Sequence, residues 1–306
     1  MAIADRAILT CSVGVMAYNE ERNIARLLEA LRLQALELAS IEEIVVVASG
    51  CTDRTEELVA DAARRDARVR LIRQPRREGK ASAINLYLQA ARACRADVCI
   101  LQSGDTLPER GTIEALVKPM ALDKNVGMTG AHVVPVDGRG GYLDAVVRTL
   151  WRLHHRLAME VPKAGELVAF RNVIASIPPD SAVDEVSLES AVTSRALSVR
   201  YVPEAIVLNK GPETISDFLK QRRRIHAGHL DVARKAGYAP STMSLSRVGR
   251  HFFADALSKP SQFPVSLGAA ALEALGRAMG AWDFYITRKS HTVWDIAVTT
   301  KDVQGN

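Results

Sequence analysis

The sequence predicts an α/β protein in which a mostly parallel sheet, flanked by helices, is followed by a C-terminal helical extension. In about the first hundred residues, short apolar runs rich in β-branched side chains alternate with stretches of helical periodicity. Strands separated by helices form right-handed βαβ units, so these strands are expected to run parallel. The length of 306 residues suits one large α/β domain with an appended segment.

The elements follow from the periodicity of the apolar residues. The strands of the first part are predicted at residues 7–17, 41–48, 69–73 and 98–102. The helices between them are expected after Asn19, the predicted N-cap of the first, at residues 55–65, and from Lys80 onward. The later elements are a helix at 143–159, a strand at 165–171 and helices at 187–195, from Ser216 and at 267–284.

Charge and composition narrow the class of ligand. The net charge is +5, and basic residues cluster at 64–80 and 222–224. Aromatic residues make up only 5% of the chain, whereas a nucleic-acid surface usually interleaves aromatic with basic side chains. We therefore expect the basic clusters to bind the phosphates of a small molecule, and we expect no nucleic acid.

The sequence predicts a cytoplasmic protein. The cysteines show no CxxC spacing and lie in or near apolar runs, which is typical of reduced residues rather than of a disulfide frame or a zinc site. Residues 1–6 lack the pattern of a signal peptide, and no apolar run approaches the roughly twenty residues of a membrane span. The segment 263–286 carries Glu273, Arg277 and Asp283, so it can lie on a membrane surface, pack on the rest of the chain or form a homodimer contact. Peripheral attachment to the inner face of the membrane therefore stays open.

An acidic turn follows the fourth predicted strand. The apolar run ends at Ser103-Gly104-Asp105, and Pro108 closes the turn. Ligands of open α/β sheets bind at the carboxyl ends of the strands, where a carboxylate suits Mg²⁺ or Mn²⁺ and, through the cation, a diphosphate. The alternative is that Asp105 only caps the turn and the helix after Pro108.

Two common nucleotide-binding motifs are missing. The turn after the first strand, residues 17–21, contains no glycine, whereas a dinucleotide-binding fold needs G-x-G-x-x-G there. The sequence contains no Walker loop either. These absences argue against NAD and against a P-loop nucleotide site.

Several short motifs together resemble those of a known enzyme family. The motifs are 13–21 (VGVMAYNEE), 49–55 (SGCTDRT), Gly79-Lys80 with Asn85, 103–108 (SGDTLP), 183–188 (VDEVSL), 201–205 (YVPEA) and 221–225 (QRRRI). In this order and spacing they resemble the family-2 nucleotide-sugar glycosyltransferases, which have the GT-A fold with its Rossmann-like sheet. The last motif resembles Gln-x-x-Arg-Trp, found in members that act on polysaccharide or lipid-linked acceptors. The resemblance extends from about residue 11 to about residue 230.

The resemblance implies an inverting, hexosyltransferase-type enzyme that moves a sugar from a UDP- or GDP-linked donor to a hydroxyl acceptor, with Mg²⁺ or Mn²⁺. The acceptor would be a glycan, a polysaccharide or a lipid-linked molecule. It also implies a catalytic domain at 1–235, with a nucleotide-binding half at about 1–110 and an acceptor half at about 111–235, and a helical extension at 236–306. A sugar-nucleotide-forming nucleotidyltransferase is disfavoured, because its Gly-rich, Arg-containing first loop is missing. The alternative is a catalytically silent relative that binds a nucleotide or a protein partner.

The resemblance assigns a donor site to the first motifs. The backbone of Ala17 and Tyr18 and the Tyr18 ring flank the base, and Asp53 accepts a hydrogen bond from the base N–H. Glu20 approaches the ribose or the base, and Lys80 meets a phosphate or the base edge. From the residues alone, Asp53 can equally cap the following helix, Glu20 can be a first-turn acid, and Lys80 can be a solvated surface lysine.

The sequence departs from the family at the metal motif. The usual pattern is Asp-x-Asp, whereas this chain has Ser103-Gly104-Asp105. Asp105 is then the acidic metal ligand, Gly104 belongs to the same donor-binding turn, and Ser103 contributes only a hydroxyl to a ribose or a metal-bound water. We therefore expect weaker metal binding and altered donor contacts.

A second departure concerns the paired acids. The usual order is Glu-Asp, whereas this chain has Asp184-Glu185. Glu185 occupies the position of the general base with one extra methylene, Asp184 is the alternative base, and both acids can instead simply begin a helix. Gln221 and Arg224 lie three residues apart on one helical face, from which Arg224 is expected to meet the diphosphate or the acceptor.

Overall fold

The computed structural model of the chain describes residues 8–136, 138, 140–294 and 303. Within them the strands are β1 Leu9–Ala17, β2 Ala39–Ser49, β3 Val69–Gln74, β4 Val98–Ser103, β5 Thr106–Pro108, β6 Val126–Pro135, β7 Leu167–Arg171 and β8 Ser198–Asn209. The α-helices are α1 Ile24–Arg32, α2 Thr55–Arg65, α3 Lys80–Cys94, α4 Thr112–Leu122, α5 Tyr142–Glu160, α6 Asp184–Thr193, α7 Ile215–Ala236, α8 Leu245–Ser258 and α9 Phe263–Trp282. Two predicted features lie outside the described residues. They are the segment 1–6, which was predicted not to be a signal peptide, and most of the tail of the helical extension, at 295–302 and 304–306.

The described strands form one sheet in the order β3-β2-β1-β4-β7-β6-β8-β5. Strand β1 pairs in parallel with β2 and β4, and β2 pairs in parallel with β3, as the βαβ pattern predicts. Strand β7 runs antiparallel to both β4 and β6, and β8 is parallel to β6. The α/β class is thus as predicted, with a parallel first half and a mixed second half.

Apolar side chains pack on both faces of the sheet. Helices α1, α2 and α4 cover one face, and α3 and α6 cover the other. On the second face the Tyr87 hydroxyl donates to Ser12 O at 2.6 Å and accepts from Ile100 N at 3.1 Å. A Cβ at Gly14 would lie 2.4 Å from the Tyr87 ring, so glycine here lets α3 approach β1 closely. This packing holds the carboxyl ends of β1 and β4 side by side.

The turn after β1 differs from the prediction. Asn19 does not cap α1, which begins at Ile24 after Asn23. Asn19 instead has a left-handed φ of 52°, and its side-chain oxygen accepts a hydrogen bond from the Thr52 amide at 2.8 Å. The N-cap prediction was wrong, because this side chain bonds to the turn after β2 and not to the first amides of α1. The bond ties the carboxyl ends of β1 and β2 together.

Several other elements begin at residues that the periodicity did not predict, and two of them concern the site. The helix expected at 187–195 begins at Asp184, so Asp184 and Glu185 lie in the first turn of α6. The strand expected at 165–171 begins at Leu167. Because β7 is antiparallel to β4, its first residues lie beside the last residues of β4. Both shifts therefore bring chain segments with acidic side chains to the carboxyl edge of the parallel strands.

The segment after α7 is helical, as predicted. Helix α9 packs against α5 and α7. Helix α8 is tied to α5 by Asp255, which accepts hydrogen bonds from Arg152 Nε at 2.9 Å and Nη2 at 2.8 Å and pairs with Arg156 at 2.9 Å. The domain boundary at 235/236 stays a prediction. None of the described helices combines the length and the apolar character that a bilayer span needs.

Candidate active site

A cavity of about 390 Å³ lies at the carboxyl ends of β1 and β4. Its sheet wall comprises the lining residues between 16 and 105, and its helical wall comprises those of α5, α7, α8 and α9. The volume is in the range of small-molecule sites. The predicted site residues that line it are Tyr18, Glu20, Lys80, Ser103, Asp105, Glu185, Gln221 and Arg224. The other predicted residues, Ala17, Asp53, Gly104 and Asp184, are not among the described residues that line it.

Lys80 connects the acidic groups of the cavity. It is the first residue of α3, and its ammonium lies 2.8 Å from Asp184 Oδ2, 3.4 Å from Glu185 Oε1 and 3.1 Å from Ser103 Oγ. Burial by itself lowers the pKa of Lys80, but the Asp184 and Glu185 carboxylates outweigh it and raise the pKa above its ordinary range. Only 13% of the side chain is exposed, so Lys80 is a charged internal group and not a solvated surface lysine.

The two acids of α6 differ in environment. The Asp184 side chain is 2% exposed, whereas that of Glu185 is 19% exposed and lines the cavity. Burial and the neighbouring Glu185 carboxylate raise the pKa of Asp184. Burial acts most strongly and raises the pKa of Glu185, but the Lys80 ammonium, a backbone hydrogen bond and the charges of Lys163 and Arg224 together outweigh it, and the net shift is downward. Glu185 is therefore the acid that presents an ionised carboxylate to the cavity.

The turn after β4 is packed directly against the turn after β1. The Gly104 amide donates to Met16 O at 3.0 Å, and a Cβ at Gly104 would lie 2.9 Å from Glu20 Cγ. The glycine therefore keeps Ser103 and Asp105 close to the first turn. Both of these side chains line the cavity, and Asp105 forms no hydrogen bond or ion pair with another described residue.

The donor atoms of this turn suit a hard divalent cation. Among the described residues, no group of three or more His, Cys, Asp or Glu side chains could hold a metal ion by itself. Mg²⁺ and Mn²⁺ are nevertheless commonly bound by one or two carboxylates together with the phosphate oxygens of a substrate. The unpaired Asp105 carboxylate fits that pattern, and the Ser103 hydroxyl adds a neutral oxygen beside it.

The remaining predicted donor residues hold the first turn together. Asp53 Oδ1 accepts from the Thr55 amide at 3.0 Å and the Thr55 hydroxyl at 2.6 Å, and Oδ2 accepts from the Glu21 amide at 3.0 Å. Asp53 thus caps the start of α2, which was the alternative to a role in binding. Its contact with a nucleotide base stays a prediction. Glu20 is buried, and its carboxylate accepts from Asn23 at 2.9 Å. The Arg77 guanidinium lies over the Tyr18 ring, 4.2 Å from its centroid.

Helix α7 contributes the basic side of the cavity. Arg224 donates to Ala182 O at 2.7 Å, and its guanidinium lies 3.5 Å from the centre of the Trp294 ring. The Trp294 carbonyl accepts from Arg77 at 2.7 Å, so the tail joins the sheet wall to α7. The short apolar run around Trp294 indicated that the tail returns to the rest of the chain, but it gave no signal that the ring lies in the site. The one indication was that Ile225 stands where the resembling motif has tryptophan.

A further acidic residue of the cavity, Glu166, was also missed. It precedes β7 with a left-handed φ of 57° and lines the cavity. Burial first, and then the carboxylates of Asp105 and Glu185, raise the pKa of Glu166 to about 7. The sequence alone gave no reason to place it here, because the antiparallel pairing of β7 with β4 is a long-range feature.

The helical wall combines apolar side chains and histidines with the basic residues of α7 and α9. Its side chains include Leu150, Trp151 and Leu157 of α5 and Phe218 of α7. His154 also lines the cavity, and burial lowers its pKa well below the ordinary range. A neutral imidazole among apolar side chains can donate or accept a hydrogen bond without adding charge. The apolar part of this wall therefore suits an uncharged portion of a ligand.

A sequence model of the family described as "Glycosyl transferase family 2" matches residues 12–166, slightly more than half of the chain. The chain belongs to glycosyltransferase family 2. The match includes the first turn, Lys80, the Ser103-Gly104-Asp105 turn and Glu166, and it ends before the paired acids of α6. The family recognised from the motifs is thus confirmed.

Comparison with solved structures gives the fold of this family 2 glycosyltransferase. The mannosyltransferase PcManGT from Pyrobaculum calidifontis, in complex with GDP-Man and Mn²⁺, is 20% identical, with a TM-score of 0.62 over 91% of this chain and 88% of that one. Glucosyl-3-phosphoglycerate synthase from Mycobacterium tuberculosis, in complex with Mn²⁺, UDP and phosphoglyceric acid, is 19% identical, with a TM-score of 0.52 over 78% of this chain and 80% of that one. The predicted GT-A fold is therefore confirmed.

A curated relative supports the same family. Glycosyltransferase AglD from Haloferax volcanii is 28% identical over 136 residues, which are 44% of this chain and 21% of the relative. The chain thus spans about a fifth of that protein's length in the matched region.

Proposed function

We propose that the chain is an inverting glycosyltransferase that moves a sugar from a UDP- or GDP-linked donor to a hydroxyl acceptor, with Mg²⁺ or Mn²⁺. The observation that carries this proposal is the geometry around Lys80. One ammonium contacts the Ser103 hydroxyl of the metal turn and the carboxylate of Glu185 in the same cavity. The turn proposed to bind the donor and the carboxylate proposed as the general base would therefore lie within reach of one ammonium.

The sheet wall is the proposed donor site. Tyr18 and Glu20 would contact the nucleoside, and Lys80 and Arg224 would face the diphosphate. Asp105 would hold the divalent cation, with Ser103 beside it. The cation, when bound, supplies positive charge that stabilises the leaving nucleoside diphosphate. Two solved relatives were crystallised with GDP-Man and Mn²⁺ and with UDP and Mn²⁺, which supports this class of donor without choosing between the bases.

Glu185 is the proposed general base. The acceptor hydroxyl gives its proton to the Glu185 carboxylate while its oxygen forms a bond to the anomeric carbon. The bond from that carbon to the diphosphate oxygen breaks on the opposite face, so the configuration inverts. The lowered pKa of Glu185 keeps the carboxylate ready to take a proton at neutral pH. Asp184, which is buried behind it, would hold Lys80 in position.

The helical wall is the proposed acceptor site. The apolar side chains of α5 and the neutral His154 suit an acceptor that carries an apolar portion next to its hydroxyl, such as a lipid-linked molecule. A glycan acceptor would use the histidine and the edge of Trp151.

The outer surface of the C-terminal helices supports a contact with a membrane. Phe253 and Leu257 of α8 and Trp282 at the end of α9 are 65%, 80% and 58% exposed. Exposed apolar side chains of this kind, on a chain with a net positive charge, suit the surface of anionic lipids. Co-sedimentation with anionic vesicles would support this contact, whereas a concentration-dependent dimer in light scattering would assign the surface to a second copy of the chain.

A donor screen tests the proposed function. We expect Mn²⁺ together with one class of nucleoside-diphosphate sugar to raise the thermal midpoint, and we expect the enzyme to release nucleoside diphosphate from that donor once an acceptor is present. Stabilisation without turnover on any hydroxyl acceptor would favour the catalytically silent relative. No stabilisation by any nucleotide sugar would contradict both functions.

A further inference from the structure

The pairing of β4 with β7 places Glu166 beside the metal turn. The antiparallel register joins Leu101 to Val168 and Gln102 to Leu167. Glu166 directly precedes Leu167 and Ser103 directly follows Gln102, so both residues stand at the same end of the paired segment. Ser103 is the position at which the resembling family carries the first acid of its Asp-x-Asp motif. An acidic residue just before β7 thus stands at the same end of the β4–β7 pair as Ser103, where the first acid of the motif is missing.

Glu166 lines the cavity with a backbone conformation that is unfavourable for a residue with a Cβ. Its φ of 57° is a region that glycine adopts freely and that a residue with a Cβ adopts only when the surroundings enforce it. A tight turn follows, with Leu167 N donating to Gly165 O at 2.6 Å. Glutamate at a position suited to glycine indicates that its side chain has a use there.

The Glu166 carboxylate lacks a partner within the described part of the chain. It forms no hydrogen bond or ion pair there, although it lines the cavity. The charges of Lys80 and Arg224 act on Glu166, but Lys80 is already in contact with Asp184, Glu185 and Ser103, and Arg224 donates to Ala182 O. The second unpaired carboxylate of the cavity is Asp105. Two acids that form no hydrogen bond or ion pair with the described residues therefore face one space, where a bound cation would add to the charges of Lys80 and Arg224 in offsetting their repulsion.

We propose that Glu166 is the second protein ligand of the divalent cation and replaces, from the neighbouring strand, the acid that Ser103 does not provide. The inference rests on the proposed function, because it concerns the cation of the nucleotide-sugar site. Asp105 and Glu166 would supply two oxygen ligands, and the diphosphate and water would complete the coordination of Mg²⁺ or Mn²⁺. The pair restores the charge of two carboxylates that the usual motif has within one turn.

The test measures Mn²⁺ directly, by electron paramagnetic resonance titration in the presence of UDP or GDP, and needs no turnover. Glu166→Gln keeps the size of the side chain and removes its charge. We expect the affinity for Mn²⁺ to fall by roughly 10–100-fold, a loss typical of perturbed metal sites. Glu185→Gln is the matched control, because it makes the same change in the same cavity at an acid that contacts Lys80. We expect it to leave the affinity for Mn²⁺ within about threefold of wild type, because Glu185 is not a proposed ligand.

Two further variants separate ligation from folding. Glu166→Gly removes the carboxylate and relieves the left-handed backbone, so it should fold with a thermal midpoint at or above that of wild type without metal while losing Mn²⁺. Adding Ser103→Asp to Glu166→Gly restores the usual motif, and we expect Mn²⁺ affinity to recover at least tenfold, which is about 1.4 kcal/mol.

The outcomes are distinct. Wild-type affinity for Mn²⁺ in both Glu166→Gln and Glu166→Gly would overturn the inference while leaving the proposed function intact. Failure of the added Ser103→Asp to recover binding would also overturn it. A wild-type chain that binds no Mn²⁺ with either nucleotide would instead contradict the proposed function, and the inference with it.

Discussion

The two walls of the cavity are held in place by different forces. The sheet wall rests on strands whose side chains are almost fully buried, such as Val13 and Val15 of β1 and Ile100 of β4. The helical wall has smaller apolar clusters, one of which includes Phe218 and Ala269. Its helices are joined largely by buried ion pairs. The sheet wall is therefore stabilised by apolar burial and the helical wall by charge.

Three acids of the C-terminal helices form these ion pairs. Asp255 pairs with Arg152 and Arg156 of α5, Asp283 pairs with Arg223 of α7, and the half-buried Glu273 pairs with Arg222 of α7 and, within α9, with Arg277. Buried ion pairs fix geometry, but they depend on pH and are strongly destabilising when one partner is lost. The comparison teaches that the donor side is built to be rigid, whereas the acceptor side depends on a few charges.

The largest effect is expected where the two walls meet, at Glu185. Glu185→Gln cannot take a proton, so transfer should fall by roughly 10²–10⁴-fold with donor affinity nearly unchanged. Asp184→Asn should keep transfer within about tenfold of wild type while lowering stability, because it breaks a buried pair with Lys80. The two variants must be compared by steady-state kinetics on the same acceptor. If Asp184→Asn is the inactive variant, the roles of the two acids are exchanged, and if both stay fully active, neither is the base.

The next effect concerns the stability of the helical wall. Asp255→Asn should lower the free energy of unfolding by about 3 kcal/mol, because it leaves Arg152 and Arg156 without their buried partner. The matched control is Asp144→Asn, which breaks the half-exposed pair with Arg148 on the same helix and should cost less than about 1 kcal/mol. Equal losses in urea unfolding would contradict the contrast.

The Asp255 pairs also predict a pH dependence. The hydrogen bond from Arg152 and the charges of both arginines hold the pKa of Asp255 below its ordinary range. The unfolded chain therefore binds the proton more readily, so the contribution is complete above about pH 4 and is lost as the pH falls further through the folded pKa. The stability gap between wild type and Asp255→Asn should narrow in acid. A gap that stays constant down to pH 3 would refute this assignment.

A smaller effect is expected on the sheet wall, at Asp53. Asp53→Ala removes the acceptor of the Thr55 and Glu21 amides and should cost about 1–2 kcal/mol of unfolding free energy. If Asp53 also accepts from the base, the variant should bind its nucleotide about 1–3 kcal/mol more weakly and discriminate less between UDP and GDP. Calorimetry with both nucleotides checks this. Reduced stability with unchanged binding would leave Asp53 with its structural role alone.

The smallest effect concerns the tail. Trp294→Ala removes the ring stacked on Arg224 and should cost about 1 kcal/mol of stability. Trp282→Ala, at a ring that is 58% exposed, should cost less than about 0.5 kcal/mol. Thermal or urea unfolding compares the two variants. Indistinguishable losses would show that the contact between Trp294 and Arg224 contributes nothing to joining the walls.

The sequence predicted the turns of the sheet wall better than the residues that long-range contacts bring to the cavity. The turns after β1, β2 and β4 were predictable because each follows a strand directly, and the order of the βαβ units brings Tyr18 and Asp105 to one edge. The places of the Glu166 and Trp294 side chains in the cavity were not predictable, because they depend on the antiparallel pairing of β7 and on where the tail meets the sheet. Asn19 was wrongly predicted as a cap, because its partner Thr52 lies in a different turn.

The most direct test of the central claim is the affinity of a nucleoside diphosphate with and without Mn²⁺, measured by calorimetry on wild type and Asp105→Ala. We expect Mn²⁺ to strengthen nucleotide binding to the wild type. In the variant this gain should vanish while the fold stays intact, because the Asp105 carboxylate has no protein partner among the described residues. A variant that keeps the full Mn²⁺-dependent gain would contradict the placement of the cation and the donor site built around it.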